Sequence, residues 1–352
     1  MEESRGIRGL GEDECWLSDK FIEGLVSVII PTYNRRKYLG EALKSVHDQY
    51  ARPIEVIVID DGSTDGTAEL VNQWKIENKD ESNFSVRYIK QRNQGAPAAR
   101  NKGLLLSRGQ YIQFLDSDDV ILPSKISDAL RAFEEDRSLD FVYSLRGDFV
   151  DCLEDMRPWD RQLADLENDL SPAEVVISHV WTALPVFSRD VLRRGGGWDE
   201  RLTSHQDSEF ITRIAFWSES VKCIHSIQAL CRQHQGSRIS VNRWGEPTGV
   251  NANALAAAAV YPLVLECNSP RKSEALSVLA KRLLSCLRVA VASGNSCLAR
   301  EISNKNKAAI CVNRFARMEL SGWKFILALP DSVINVIFFP IRLLKRFAVI
   351  HR

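Results

Sequence analysis

Two short acidic segments have residue types and a spacing that can do chemistry. Asp60 and Asp61 end an apolar, β-branched run at 54–59 (IEVIVI) and are followed by Gly62 and Ser63; Asp116, Ser117, Asp118 and Asp119 end a second run at 111–115 (YIQFL). Carboxylates at the carboxyl end of a buried strand lie where open α/β sheets bind ligands. The two-residue repeat of extended chain puts Asp116 and Asp118 on one side. That suits a hard divalent cation, because magnesium or manganese takes one or two protein carboxylates and completes its shell with phosphate oxygens and water. Such an ion neutralises the charge that builds on a departing diphosphate. Either segment alone also reads as a solvated acidic turn, the second as a cap for a helix starting near Pro123. A calcium loop at 61–72 is excluded: its twelfth position is Asn72 rather than Glu, and a strand precedes it instead of a helix.

These acids need a scaffold, and the hydrophobic pattern supplies one. Residues 26–30 (VSVII), bounded by Pro31, form a β-branched run expected of a buried parallel strand. Leu39, Ala42, Leu43 and Val46 then have helical spacing, before the strand at 54–59. The alternation continues with a helix at 67–76, a strand at 86–89, a helix at 98–106, the strand at 111–115, a helix at 123–133 and a strand at 140–144. Strands alternating with helices predict a mostly parallel α/β sheet. Between 148 and 169 the pattern loosens into an insertion. Ser171 and Pro172 form a helix start leading to residue 180. Beyond 244 only helices are expected, at 254–267, 273–292 and 295–320. The predicted organisation is a flexible leader at 1–24, an α/β domain at 25–245 and a helical extension at 246–352.

Composition bounds the partners. Of 352 residues, 46 are Lys or Arg and 46 Asp or Glu, so no uniform attraction to nucleic acid is implied. The charge is unevenly spread, with fifteen basic against five acidic residues from 250 onward. Eight cysteines without a C-x-x-C pair point to reduced thiols in a cytoplasmic setting. No signal-peptide core is visible near the N-terminus. The apolar stretch 325–341 is broken by Pro330, Asp331 and Pro340, too short a run to span a bilayer. Its tail, with Arg342, Lys345 and Arg346 beside Leu343, Leu344 and Phe347, reads either as an interfacial helix at the inner face of a membrane or as a helix packed on its own domain.

Between the two acidic segments lies a basic, glycine-containing one, and together they form an ordered set. Residues 26–34 (VSVIIPTYN), 58–67 (VIDDGSTDGT), 93–103 (NQGAPAARNKG) and 111–119 (YIQFLDSDD) closely resemble the family-2 glycosyltransferases of the GT-A fold, over roughly residues 25–240. The resemblance implies an inverting transfer of sugar from a nucleotide diphosphate donor, a UDP-sugar, to an acceptor hydroxyl on a glycan, glycolipid or protein, with Mn2+ or Mg2+ as cofactor. It assigns Pro31, Tyr33 and Asp61 to the nucleotide base, Arg100 to the donor phosphates, Asp116 to the donor ribose and Asp118 to the metal. Each role suits the residue: a carboxylate accepts from a uracil N–H, and a guanidinium suits a diphosphate.

Inversion also needs a base for the acceptor hydroxyl. The family places it in a Glu-Asp pair after a Gly-Gly-aromatic-Asp-Glu stretch; here these are residues 196–200 (GGWDE) and Gln206-Asp207, which makes Asp207 the candidate. Gln206 departs from the family's Glu and removes a negative charge beside the base. Without the family match, Asp207 reads as a helix cap acting through Arg213. His234 resembles a histidine that completes the metal site, against the ordinary reading of a structural histidine. Trp181 and Trp198 are candidate platforms for a sugar ring or else core aromatics. The Gln-x-x-Arg-Trp motif and membrane spans usual in the family's processive synthases are not evident, which favours addition of a single sugar. The other classes weighed are a nucleotidyltransferase, a non-catalytic nucleotide-sugar binding module and a scaffold.

Overall fold

The computed structural model describes residues 16–78, 83–150, 152, 155–158, 181–202, 206–233, 254, 257–258, 261, 265, 272–292, 295–305, 307 and 320. The chain divides into two compact units, Met1–Arg201 with Phe210–Gly236, and Leu202–Glu209 with Ser237–Arg352.

In the first unit the strands and helices follow in the order β1 (Ile22–Thr32), α1 (Arg36–His47), β2 (Ile54–Asp60), α2 (Thr67–Glu77), β3 (Phe84–Lys90), α3 (Ala96–Leu106), β4 (Gly109–Phe114), β5 (Val120–Ile121), α4 (Lys125–Glu135), β6 (Phe141–Phe149), β7 (Arg157–Pro158), β8 (Pro185–Ser188), α5 (Arg189–Gly195), α6 (Gln206–Trp217) and β9 (Val221–Arg232). Helix α6 begins in the segment grouped with the second unit. The sheet runs β3-β2-β1-β4-β8-β6-β9-β5, with β7 on β6.

The part β3-β2-β1-β4 is entirely parallel, as the sequence pattern predicts. Strand β1 is buried from Leu25 to Thr32 and β2 throughout, with α3 packed on both and the apolar face of α1 in the same core. That is why these runs lack a polar alternation. The remainder is mixed: β6 pairs parallel with β9 from Phe141 to Phe149. Strand β8 lies antiparallel between β4 and β6, and β5 is antiparallel to β9. Strand β8 is four residues long and begins at Pro185, and β9 alternates exposure irregularly, so neither carries a clear strand signal.

A second departure concerns the leader expected at 1–24. Strand β1 begins at Ile22 and Leu17 is buried in the main core, so the packed unit starts earlier than the apolar run indicates. In the second unit α7 (Lys272–Ala292) agrees with the helix expected at 273–292, and α8 (Ser296–Lys305) covers the start of the one expected at 295–320. Residues 254, 257–258, 261 and 265 are helical, within the predicted 254–267 helix. The helix expected at 171–180 and the basic tail at 342–347 lie outside the described residues.

Candidate active site

The register of the parallel strands brings three carboxyl ends side by side. Strand β1 pairs with β2 so that Thr32 faces Asp60, and with β4 so that Ile29 faces Phe114. The chain continues this pairing past the strands: the Asp61 amide donates to Thr32 O at 2.8 Å and the Leu115 amide to Ile29 O at 3.0 Å. Both acidic segments and the loop after β1 thus leave one edge of the sheet together.

Asp60 and Asp61 are neighbours with different work. Asp60 is fully buried; its carboxylate accepts from the Ser63 amide at 2.7 Å and from the Tyr88 hydroxyl. Burial, then the hydrogen bond to Asp60 and its charge, pushes the Tyr88 hydroxyl well above the ordinary tyrosine range. Asp60 is therefore a structural anchor of the turn, in which Gly62 adopts a φ of +92° that favours glycine. Asp61 turns toward the start of α3. Its Oδ1 accepts from Gln91 Nε2 at 2.8 Å and the Gln94 amide at 2.9 Å, and its Oδ2 from the Gly95 amide at 2.8 Å. Three donors fix the plane of this carboxylate, and Oδ2, which accepts only one of them, retains a lone pair for a further donor. Pro31, near the end of β1, is buried, whereas Tyr33, just past it, is 48% exposed, an aromatic face open beside Asp61's strand end. The loops are laced together: the Asn34 amide donates to Ser63 Oγ and the Thr64 amide to Asn34 Oδ1, both at 2.9 Å.

At the second acidic end each carboxylate meets an arginine. Arg100, buried on α3, donates from Nη2 to Asp116 Oδ1 at 2.7 Å. Arg35 Nε lies 3.7 Å from Asp118 Oδ2. Asp119 is buried and accepts from the Arg232 amide at 3.0 Å. Burial raises the Asp119 carboxyl well above the usual carboxylate range, and the charges of Asp118 and Asp116 push it the same way. The Arg232 amide and Arg146 oppose that shift. Arg232 reaches round the back of the loop, donating from Nε to Asp118 O at 3.2 Å and from Nη2 to Glu41. Arg35 and Arg232 were not among the sequence candidates; only the fold brings them to this acidic loop.

Carboxylates so placed can serve a divalent cation. Among the described residues no three His, Cys, Asp or Glu side chains are grouped to hold a metal by themselves, and a magnesium or manganese ion that also binds phosphate oxygens needs only one or two. Asp116, Asp118 and Arg100 are brought together, with Asp61, Pro31 and Tyr33 at the neighbouring strand ends. Asp207 stands in the first turn of α6, half-buried, its Oδ1 accepting from the Ser208 amide at 2.8 Å. It belongs to the segment grouped with the second unit. Arg213, its partner in the capping reading, donates to the carbonyls of Gly195 and Gly197, the latter at 2.6 Å. His234 lies outside the described residues. Trp198 is a core aromatic, 1% exposed and stacked on Phe210, while Trp181 is half-buried with the Arg146 guanidinium 3.6 Å from its ring centroid.

Residues 27–196 match the family model described as Glycosyl transferase family 2. Through this region the chain resembles that family. It is 41% identical over 120 residues to the putative teichuronic acid biosynthesis glycosyltransferase TuaG of Bacillus subtilis (strain 168), a match covering 34% of this chain and 46% of TuaG. The matched segment spans less than half the length of the curated relatives, 18% for an uncharacterized glycosyltransferase of Rickettsia felis. Among solved structures, S. aureus TarS 1–349 in complex with UDP-GlcNAc superposes with a TM-score of 0.60 at 18% identity, covering 86% of this chain and 90% of that one. Mannosyltransferase PcManGT from Pyrobaculum calidifontis, in complex with GDP-Man and Mn2+, gives 0.54 at 19% identity, covering 88% and 86%. These likenesses establish the GT-A fold.

Proposed function

We propose that this chain is an inverting, metal-dependent glycosyltransferase that takes a sugar from a UDP-sugar and adds it to an acceptor hydroxyl in cell-surface glycan synthesis. The observation that carries the proposal is the meeting of three strand ends at which Asp61 is fixed by three donors, beside the Arg100–Asp116 pair and Asp118. A carboxylate so fixed accepts from the base N–H, and Tyr33 offers the base a flat face. Asp116 accepts from the ribose hydroxyls, and Arg100 takes the diphosphate. Asp118, with His234, would hold Mn2+ or Mg2+, which when bound neutralises the diphosphate. Asp207 takes the proton of the acceptor hydroxyl. The relation to TuaG and the fold shared with TarS, solved with UDP-GlcNAc, support a UDP-sugar donor and a glycan or glycolipid acceptor. Among the described residues no helix is long and apolar enough to cross a membrane; the basic and apolar residues 342–347 support peripheral contact with the inner face.

The test is donor turnover. The protein is incubated with UDP-sugars and GDP-mannose in manganese, and release of the nucleoside diphosphate is followed. At least one UDP-sugar is turned over, and Asp207→Asn lowers the rate about 100-fold or more, as loss of a general base does, while UDP affinity stays within about threefold. Turnover unaffected by Asp207→Asn would remove Asp207 as the base; no turnover of any donor would remove the enzyme reading.

A further inference from the structure

Trp198 sits at the crossing of contacts that the roles above leave unused. Its indole lies parallel to the Phe210 ring at 4.0 Å and edge-on to Phe114 at 5.3 Å. With Phe210 on one face, the other is taken by the Arg100 guanidinium, whose Cζ is 4.3 Å from the indole centroid. The backbone of Trp198 is held by the residue next to Arg100. Asn101 Nδ2 donates to Trp198 O at 2.9 Å, and the Trp198 amide donates to Asn101 Oδ1 at 2.7 Å. One turn of α3 therefore both grips Trp198 and lays an arginine on it, and that arginine reaches Asp116.

The indole N–H gives the clue to purpose. Trp198 Nε1 is buried without a hydrogen-bond partner, a state that costs stability and is rare for buried donors. Phenylalanine would fill most of the same space without that cost. What tryptophan adds is the aromatic face that attracts a cation most strongly.

We infer that Trp198 is a positioning residue whose ring face sets the Arg100 guanidinium for the donor diphosphate. The inference rests on the proposed donor reading. Its test is a double-mutant cycle, with the Kd for UDP, GDP or dTDP measured calorimetrically in manganese for the unaltered protein, Trp198→Leu, Arg100→Ala and the double variant. Trp198→Leu is expected to weaken binding about tenfold, and to add less than about twofold once Arg100 is alanine. Trp198→Phe guards against a folding defect: it keeps or raises Tm yet weakens binding about two- to fivefold. An equal Trp198 effect with and without Arg100, or unchanged affinity in Trp198→Phe, overturns the inference. Failure of the unaltered protein to bind any of the three nucleotides would instead sink the donor reading, and the inference with it.

Discussion

Lys125 is buried at the start of α4, where its Nζ donates to Leu184 O at 2.7 Å and to Ser144 Oγ at 3.2 Å. Burial pulls its amine down from 10.5 to about 7. A base whose folded value is depressed leaves the unfolded chain binding more protons between the two values, so stability rises with pH from about 7 toward 10. Lys125→Met removes that dependence. The Tm difference between variant and parent should therefore shift against the variant from pH 7 to pH 9.5, by the equivalent of about 2–3 kcal/mol. A pH-independent difference would show that the amine stays charged. Asp61 gives a second residue-scale prediction. Its oxygens face only donors, so Asp61→Asn sets an NH2 against a Gln or Gly donor whichever way the amide turns. Urea denaturation should show a loss of about 1–3 kcal/mol, and nucleotide affinity should fall with it. At this scale the sequence discloses Asp61, Arg100, Asp116 and Asp118, because they fall within short motifs at strand ends. It does not disclose Arg35 or Arg232, because their guanidinium groups find their carboxylates, Asp118 and Glu41, only after distant segments approach.

At the scale of elements, the acidic ends can meet only if α3 lies close on β1 and β2. Gly103 permits this: a Cβ there would come within 2.4 Å of Ile29 Cγ2 and 3.4 Å of Ile59 Cγ1. Gly103→Ala should destabilise the protein by about 1–3 kcal/mol, the usual cost of overpacking, and should weaken nucleotide binding because Arg100 and Asn101 ride on the same helix. Unchanged stability would mean that α3 is free to move outward. The βαβ alternation up to β6 is legible because parallel strands buried on both faces read as continuous apolar runs. The mixed half is not. Strand β8 has four residues, and in β9 only the end around Ala229 and Leu230 is buried; tertiary pairing, rather than local pattern, makes them strands.

For the molecule as a whole, acidic strand ends ringed by arginines form a site with little net charge until a cation and a diphosphate enter together. Each arginine on a carboxylate, Arg100 on Asp116 and Arg35 on Asp118, is a partner that an incoming phosphate can take over while, in the proposed roles, the ribose takes Asp116 and the ion Asp118. Nucleotide and metal should accordingly bind with mutual reinforcement. The direct measurement is calorimetric titration of UDP into the protein with manganese and with chelator, repeated for Asp118→Ala. The account predicts binding that weakens about tenfold or more in chelator and is equally weak, and insensitive to manganese, in Asp118→Ala. Equally tight UDP binding under all these conditions would contradict it.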